Sequence, residues 1–168
     1  EDQYTFDFDH KNDITHSINS MFTTASFTLS DRLTTSVSSR VEYTTANKEW
    51  NFLPRLALNY NLKDFYISAI AGRYAQLTYN DYLLKQRDLP TESCWHYILG
   101  GYHQSNGRVY RIEAYYKDYN KLASESNGTL NASGHGYSKG IDFFFDDVSS
   151  IKNFEYRLSY SLNDAKRK

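Results

Sequence analysis

The side chains able to do chemistry are few and scattered. Five histidines, His10, His16, His96, His103 and His135, include no pair at the spacing that puts two imidazoles on one metal. The single cysteine, Cys94, can neither close an internal disulfide nor build a thiolate metal site. Carboxylates gather at Asp142, Asp146 and Asp147 and stand singly at Glu113 and Glu155. A glycosidase needs two facing carboxyls across a cleft; polar residues projecting from neighbouring strands give the same pattern. Asn127-Gly128-Thr129 and Asn131-Ala132-Ser133 match the N-glycosylation signature, and they also read as a turn-rich exterior loop. No phosphate-binding loop, dinucleotide fingerprint or nucleophile elbow occurs. Gly72 and Gly100-Gly101 read as strand glycines that mark bends or close packing. The chain is expected to be no enzyme and to hold no cofactor or metal.

The elements that carry these residues repeat with period two almost throughout. Aromatics make up 17% of the 168 residues and 16 of them are Tyr. The net charge of −1 offers no electrostatic footprint for nucleic acid. Mean hydropathy is −0.69, low for a membrane protein built of helices. Barrel strands, however, alternate lipid-facing apolar residues with lumen-facing polar ones, which keeps the average low. No apolar run approaches the roughly 20 residues of a membrane helix.

We read eight main strands, with the end of an earlier one at Tyr4–Phe8. They run about Ser17–Leu29, Leu33–Tyr43, Trp50–Tyr60, Phe65–Tyr74, Ser93–His103, Arg108–Lys117, Gly136–Phe145 and Phe154–Asn163. Residues 75–92 and 118–135 are expected to be long loops, and 146–153 a turn. The third strand is the most informative. Trp50, Phe52, Pro54, Leu56, Leu58 and Tyr60 share one face, with aromatics at the ends and aliphatics between. That order follows a bilayer, whose headgroup level favours aromatic rings and whose interior favours aliphatic groups. Pro54 conflicts with a central position, because proline lacks a ladder donor. Strands of 10–11 residues suit a tilted membrane crossing, whereas soluble strands average about 5–6.

Several segments together resemble the barrel domain of TonB-dependent outer-membrane receptors, especially those of Bacteroidetes. They are Ser30-Asp31-Arg32-Leu33, then Glu49 to Leu56 with its aromatic entry into Pro54-Arg55, then Ala71-Gly72-Arg73-Tyr74. Leu89-Pro90-Thr91-Glu92-Ser93 with Tyr97-Ile98-Leu99-Gly100 follows, then Arg111 to Lys117 and Tyr137 to Asp142. The resemblance implies an all-β, antiparallel up-and-down meander of about eight long strands within a larger barrel of about 22 strands. It also implies TonB-energised uptake of a scarce ligand: an iron chelate, cobalamin, a glycan or a peptide. The partners it implies are outer-membrane lipid, a plug domain, the TonB energy-transducing protein and an extracellular ligand. Residues 1–168 are expected to be a barrel segment cut at both ends, without the plug, in the bacterial outer membrane.

On that reading Arg55, Asn59, Arg111, Glu113, Tyr115, Lys117, Lys139, Asp142, Glu155 and Arg157 face the lumen and contact a plug or a solute. Tyr79 and Tyr82, in the segment before the fifth strand, are candidates for ligand capture. Outward aromatics are expected in two belts about 25 Å apart. Tyr43, Trp50 and Tyr116 lie in the exterior belt, and Tyr60, Phe65, Tyr110 and Phe154 in the periplasmic one. Two alternatives stand beside this reading. A complete eight-stranded barrel requires hydrogen bonds between the first and eighth strands. A soluble β-sandwich that binds carbohydrate requires Leu56, Leu58, Ile67, Ile112 and Leu158 to be buried between two sheets.

Overall fold

The computed structural model describes residues 15–86, 88–126 and 128–168. The Tyr4–Phe8 strand end and His10 lie outside the described residues. Eight strands follow one another in a single antiparallel sheet: β1 (Ile18–Ser30), β2 (Leu33–Thr44), β3 (Glu49–Leu62), β4 (Phe65–Gln76), β5 (Glu92–Ser105), β6 (Arg108–Ser126), β7 (Thr129–Ile151) and β8 (Phe154–Arg167). Their spatial order equals their order in the chain, so β1 and β8 are the two edges of an open sheet. The ladder that a closed eight-stranded barrel needs between β1 and β8 is absent among the described residues, and that alternative falls. One short helix, α1 (Asn80–Lys85), sits between β4 and β5.

Among the described residues there is no second sheet to form a sandwich. Leu56, Leu58, Ile112 and Leu158 are exposed, between 39% and 55%, and Ile67 is half-buried. The total accessible surface is 12496 Å². A folded monomer of this mass exposes roughly 8,600 Å². The excess is larger than the roughly 2,300 Å² that fourteen undescribed terminal residues could add at the unfolded-chain rate. An open sheet with both faces uncovered accounts for such a surface.

Turn chemistry sets the register. Asn106 and Gly107 take φ of 48° and 74°, the pair of positive angles that a two-residue type I′ hairpin requires. Lys63 at 45° and Asn153 at 61° close the turns on the same side. Pro54 causes no conflict, because the β3–β4 ladder begins only at Arg55 opposite Gly72. The missing donor falls where no partner strand asks for it, and the Arg73 guanidinium bonds the Phe52 carbonyl at 3.2 Å instead.

The structure departs from expectation at the exterior end. Residues 118–135, expected to be a loop, are a continuation of β6 and β7 to a hairpin tip between Ser126 and Thr129. Their Ser, Asn and Gly composition hides strands that bury few apolar side chains, Leu122, Ala123 and Leu130 among them. Register shifts between Tyr119 and Ser124 bend this hairpin, and Lys121 takes a positive φ of 58° there. A Cβ on Gly134 would lie 2.7 Å from the Leu122 carbonyl oxygen, so the bend needs glycine. The bent hairpin lays Leu130 on Leu83 and Leu89, with Leu77 and Tyr82 packed alongside. Most of the well-buried apolar side chains lie in this cap, which the short helix α1 helps to build.

Glu49 ties the cap to the sheet. Its carboxylate accepts the Thr91 N–H at 2.7 Å and the Lys121 ammonium at 3.3 Å. Burial pushes this carboxyl up, but the Thr91 and Lys121 contacts outweigh it and hold the group below the usual range.

A second polar knot joins the turns at the opposite end. Asp147 is 1% exposed and lies beyond the membrane-crossing stretch of β7. It accepts the Ser150 hydroxyl, the N–H groups of Ser149 and Ser150 at 2.9 Å each, the Arg108 guanidinium at 3.1 Å and the Tyr156 hydroxyl at 3.2 Å. The Ser150 hydroxyl leads in holding this carboxyl far below the ordinary carboxylate range. A depressed folded value means that the ionised form stabilises the fold above the unfolded value of about 3.9, and that this contribution fades as pH falls. Asp147→Asn is therefore expected to lower the thermal midpoint at pH 7. The gap to wild type should narrow steadily below about pH 4. Unfolding curves across pH 2–7 check this, and a gap that widens on acidification contradicts it.

Candidate functional site

The pleat sends alternate residues of each strand to opposite sides, so each face is assembled one ladder rung at a time. On the inner face, Arg55 of β3 is the ladder partner of Gly72 on β4. A Cβ on Gly72 would lie 2.9 Å from the Arg55 Cγ. The glycine therefore lets the arginine lie flat on the wall, with its guanidinium 4.4 Å from the Tyr74 ring centre. Tyr115 on β6 lies across Gly140 in the same manner: a Cβ there would come within 2.6 Å of the phenol oxygen. His96 stands edge-on to both rings, 5.8 Å from Tyr74 and 6.4 Å from Tyr115. The Lys117 ammonium lies 5.3 Å from the Tyr115 ring centre. Arg55, Tyr74, His96, Tyr115 and Lys117 thus make one cationic–aromatic strip across β3 to β6. Beside it a groove of about 310 Å³ opens among Tyr74, Gln76, Cys94, Lys117 and Tyr119.

Such a strip offers two fixed positive charges and several ring faces, which suits an anionic solute with aromatic or planar groups. Among the described residues no three metal-capable side chains converge. Glu113 and Asp142 are ladder partners on the same wall.

The expected lumen residues divide into groups. Arg55, Tyr115 and Lys117 come together in the strip. Asn59 sits nearer the short turns and accepts the Tyr66 hydroxyl. Arg111 stacks over Phe144 at 5.4 Å. Glu155 and Arg157 share the inner face of β8, where Arg157 pairs with Asp146 at 3.0 Å. Lys139 requires a correction. Its partners are Tyr116 and Asp164, so it lies on the opposite, apolar face. Lys139 and Asp142 are three residues apart on one strand, and odd spacing cannot put both in the lumen. Tyr79 is 67% exposed at the start of α1, whereas Tyr82 packs on the cap core. Tyr74 and His96 were not anticipated in this strip. Alternation from Gly72 and Gly100 would have placed both on the inner face, but the register that brings them beside Arg55 and Tyr115 is a long-range property.

The outer face carries two aromatic rows. Trp50 and Tyr60 share it, since the β2–β3 ladder has no register shift. Near the short turns Phe65, His103, Tyr110, Phe145 and Tyr156 follow one another at 4.8 to 5.9 Å between ring centres, and Phe154 continues at 6.1 Å. At the exterior end Tyr43 meets Trp50 at 4.9 Å. Trp95, Tyr97, Tyr116 and Tyr137 form a second run at 6.4 to 6.5 Å. Between the rows the outer face of the described strands carries one charged pair, Lys139 with Asp164 at 3.3 Å, two residues turnward of Tyr137, and no other Asp, Glu, Lys or Arg.

The rows also drift together. The rung through Tyr60 runs by Ile67, Gly101, Ile112 and Phe143 to Tyr160, yet the row meets β8 at Tyr156. Four residues over five strand steps correspond to a tilt of roughly 30°. The exterior row shifts in the same sense: the Tyr137 rung passes Asp118, Trp95 and Arg73 and so meets β3 turnward of Trp50. The drift is not continuous: Phe65, His103, Tyr110 and Phe145 share one rung, and Tyr137 stands exteriorward of the Tyr116 rung. The spacing is not uniform. Trp50 and Tyr60 lie roughly 33 Å apart along β3, but Tyr110 and Tyr116 only roughly 20 Å apart along β6.

Single-sheet architecture, an apolar outer face, a polar inner wall and two aromatic rows define the wall of a membrane β-barrel. Among solved structures the chain is similar to the siderophore receptor PirA from Pseudomonas aeruginosa, with a TM-score of 0.70 and 20% identity over 88% of this chain and 32% of that one. It is also similar to the FrpB iron transporter from Neisseria meningitidis (F3-3 variant), with a TM-score of 0.72 and 8% identity over 90% of this chain and 26% of that one. The fold is therefore that of a β-barrel wall shared with these two proteins, in agreement with the fold that the sequence resemblance implies, and the chain spans about a third or less of each. No protein-family model and no curated protein matches it.

The flat strip yields a prediction. Gly72→Ala is expected to lift Arg55 off the wall and cost about 1 kcal/mol in wild type, and markedly less in an Arg55→Ala background. A double-mutant cycle in denaturant measures the coupling. Additive effects contradict the packing described.

Proposed function

We propose that this chain is a wall segment of a bacterial outer-membrane receptor that takes up an anionic iron chelate through a TonB-energised cycle. The carrying observation is the inner strip of Arg55, Tyr74, His96, Tyr115 and Lys117, on a fold shared with a siderophore receptor and an iron transporter. Cobalamin, glycans and peptides fit less well, because none needs two cations set over tyrosine ring faces. In this reading residues 1–168 belong to a larger barrel, and the open edges at β1 and β8 pair with further strands of it. A plug domain fills the lumen and contacts the inner wall, Asn59, Arg111, Glu113, Asp142, Glu155 and Arg157 included. The TonB protein supplies energy from the other membrane. The rows through Tyr43, Trp50 and Tyr116 and through Tyr60, Phe65, Tyr110 and Phe154 sit at the two headgroup levels.

The bent hairpin and cap stand at the exterior rim, where Tyr79 is free to meet an incoming ligand and Tyr82 holds the cap together. The test uses the complete receptor. Replacing Arg55 and Lys117 with Ala together should weaken binding of an anionic ferric chelate about tenfold, equivalent to 1.4 kcal/mol. A neutral ligand such as a cobalamin should be unaffected. Unchanged chelate binding in a correctly assembled double variant overturns the reading.

A further inference from the structure

The cap leans onto the lumen side of the wall. Strand alternation puts Thr44, Asn51 and Leu53 on the inner face, yet all three are buried. At Asn51 the cover is the segment before β5, since the Asn51 amide donates to the Thr91 hydroxyl at 3.2 Å. The bend of β6 is held from the same side. Three inward-facing side chains, each from a different strand, grip residues 121 to 123. Glu49 of β3 takes the Lys121 ammonium at 3.3 Å, past the ends of β4 and β5. Glu92 of β5 accepts the Ala123 N–H at 3.0 Å. Arg167 of β8 donates to the Ala123 carbonyl across β7, where its ladder partner Gly136 leaves the way clear.

This bend stands at the exterior end of the groove lined by Tyr74, Cys94, Lys117 and Tyr119. Its own Leu122 lines the next groove, of about 440 Å³, with Tyr119, Gly136 and Ser138. Resting on the receptor reading above, we propose that the bend of β6 is a latched strap that limits passage from outside to the cationic–aromatic strip. The Glu49–Lys121 pair is its release point, and Ala123 is its hinge. The division follows from the contacts. Both side chains of the Glu49–Lys121 pair are partly exposed, so solvent screens the pair and it opens at little cost. Ala123 is buried and held through its own backbone N–H and carbonyl, so it stays in place when Lys121 lets go. Leaving Glu49 swings the strap away from β3 and uncovers the groove from above.

Cys94 lies in the groove below the strap and is the one cysteine of the 168 residues, so its thiol can report on access. The test uses the complete receptor with any other cysteines changed to serine, and an uncharged hydrophilic maleimide added from outside. Lys121→Gln is expected to speed labelling of Cys94 about tenfold, and Glu49→Gln, which breaks the same pair from the other side, should match it. Lys121→Arg keeps the pair and should label as slowly as wild type. Lys85→Gln, which breaks the exposed cap pair with Glu125, should also leave the rate unchanged. Heat-dependent gel mobility confirms that each variant is assembled. Wild-type labelling rates in both Lys121→Gln and Glu49→Gln overturn the strap, whatever solute the receptor carries. Faster labelling in those two variants supports it, even where wild type binds no anionic ferric chelate, a result that overturns the proposed function alone.

Discussion

Backbone hydrogen bonding in a medium without water is the constraint on which the rest of this structure depends. A strand that crosses hydrocarbon must give every N–H and C=O to its neighbours, because no solvent will accept them. The ladders from β1 to β8 meet most of that demand, and before Arg55, where β3 has no rung with β4, the Arg73 guanidinium takes the Phe52 carbonyl. They also force the side chains into strict alternation, so each face is composed independently of the other. The outer face can be apolar from Phe52 to Leu58, while the inner face of the same strand carries Asn51, Arg55 and Asn59. An average over the whole sequence hides both.

Cohesion in such a sheet cannot come from a central core. It comes from the ladders and from the two ends, where water returns and polar contacts are available again. At the exterior end the leucine cluster of the cap and the Glu49 contacts to Thr91 and Lys121 join three otherwise separate connections. At the other end the Asp147 knot binds the β7–β8 turn to Arg108, while the Ser149 hydroxyl reaches the Asn106 carbonyl and ties the β5–β6 turn to it. The inner glycines do related work between these ends. By letting Arg55 and Tyr115 lie flat, they keep the wall smooth and present ring faces and charge to whatever occupies the lumen.

The readable parts of the sequence were those governed by local periodicity. The sorting of aromatic and aliphatic residues along Trp50 to Tyr60 announced both the strand and its environment. The gap between the strands ending at His103 and starting at Arg108 announced the turn that Asn106 and Gly107 make. What stayed hidden depended on distant partners or on water. The polar ends of β6 and β7 have no apolar face to alternate, so Asp118 to His135 looked like a loop. Leu83, Leu89 and Leu130 meet only after the hairpin bends. Lys139 was placed by its charge instead of by its parity with Ile141 and Phe143, and parity is the stronger rule in a sheet. The strip around His96 required the register of four strands at once, which no local pattern contains.

The central claim is that the apolar face of this single sheet lies against hydrocarbon. A spin-label scan of positions 51 to 59 on β3, in the complete barrel reconstituted into bilayers, tests it most directly. The account predicts that collisions with oxygen peak at positions 52, 56 and 58, and that collisions with a water-soluble relaxant rise at 51, 55 and 59. The opposite result would be positions 52, 56 and 58 shielded from both reagents, as in a packed protein core, and it would contradict the account.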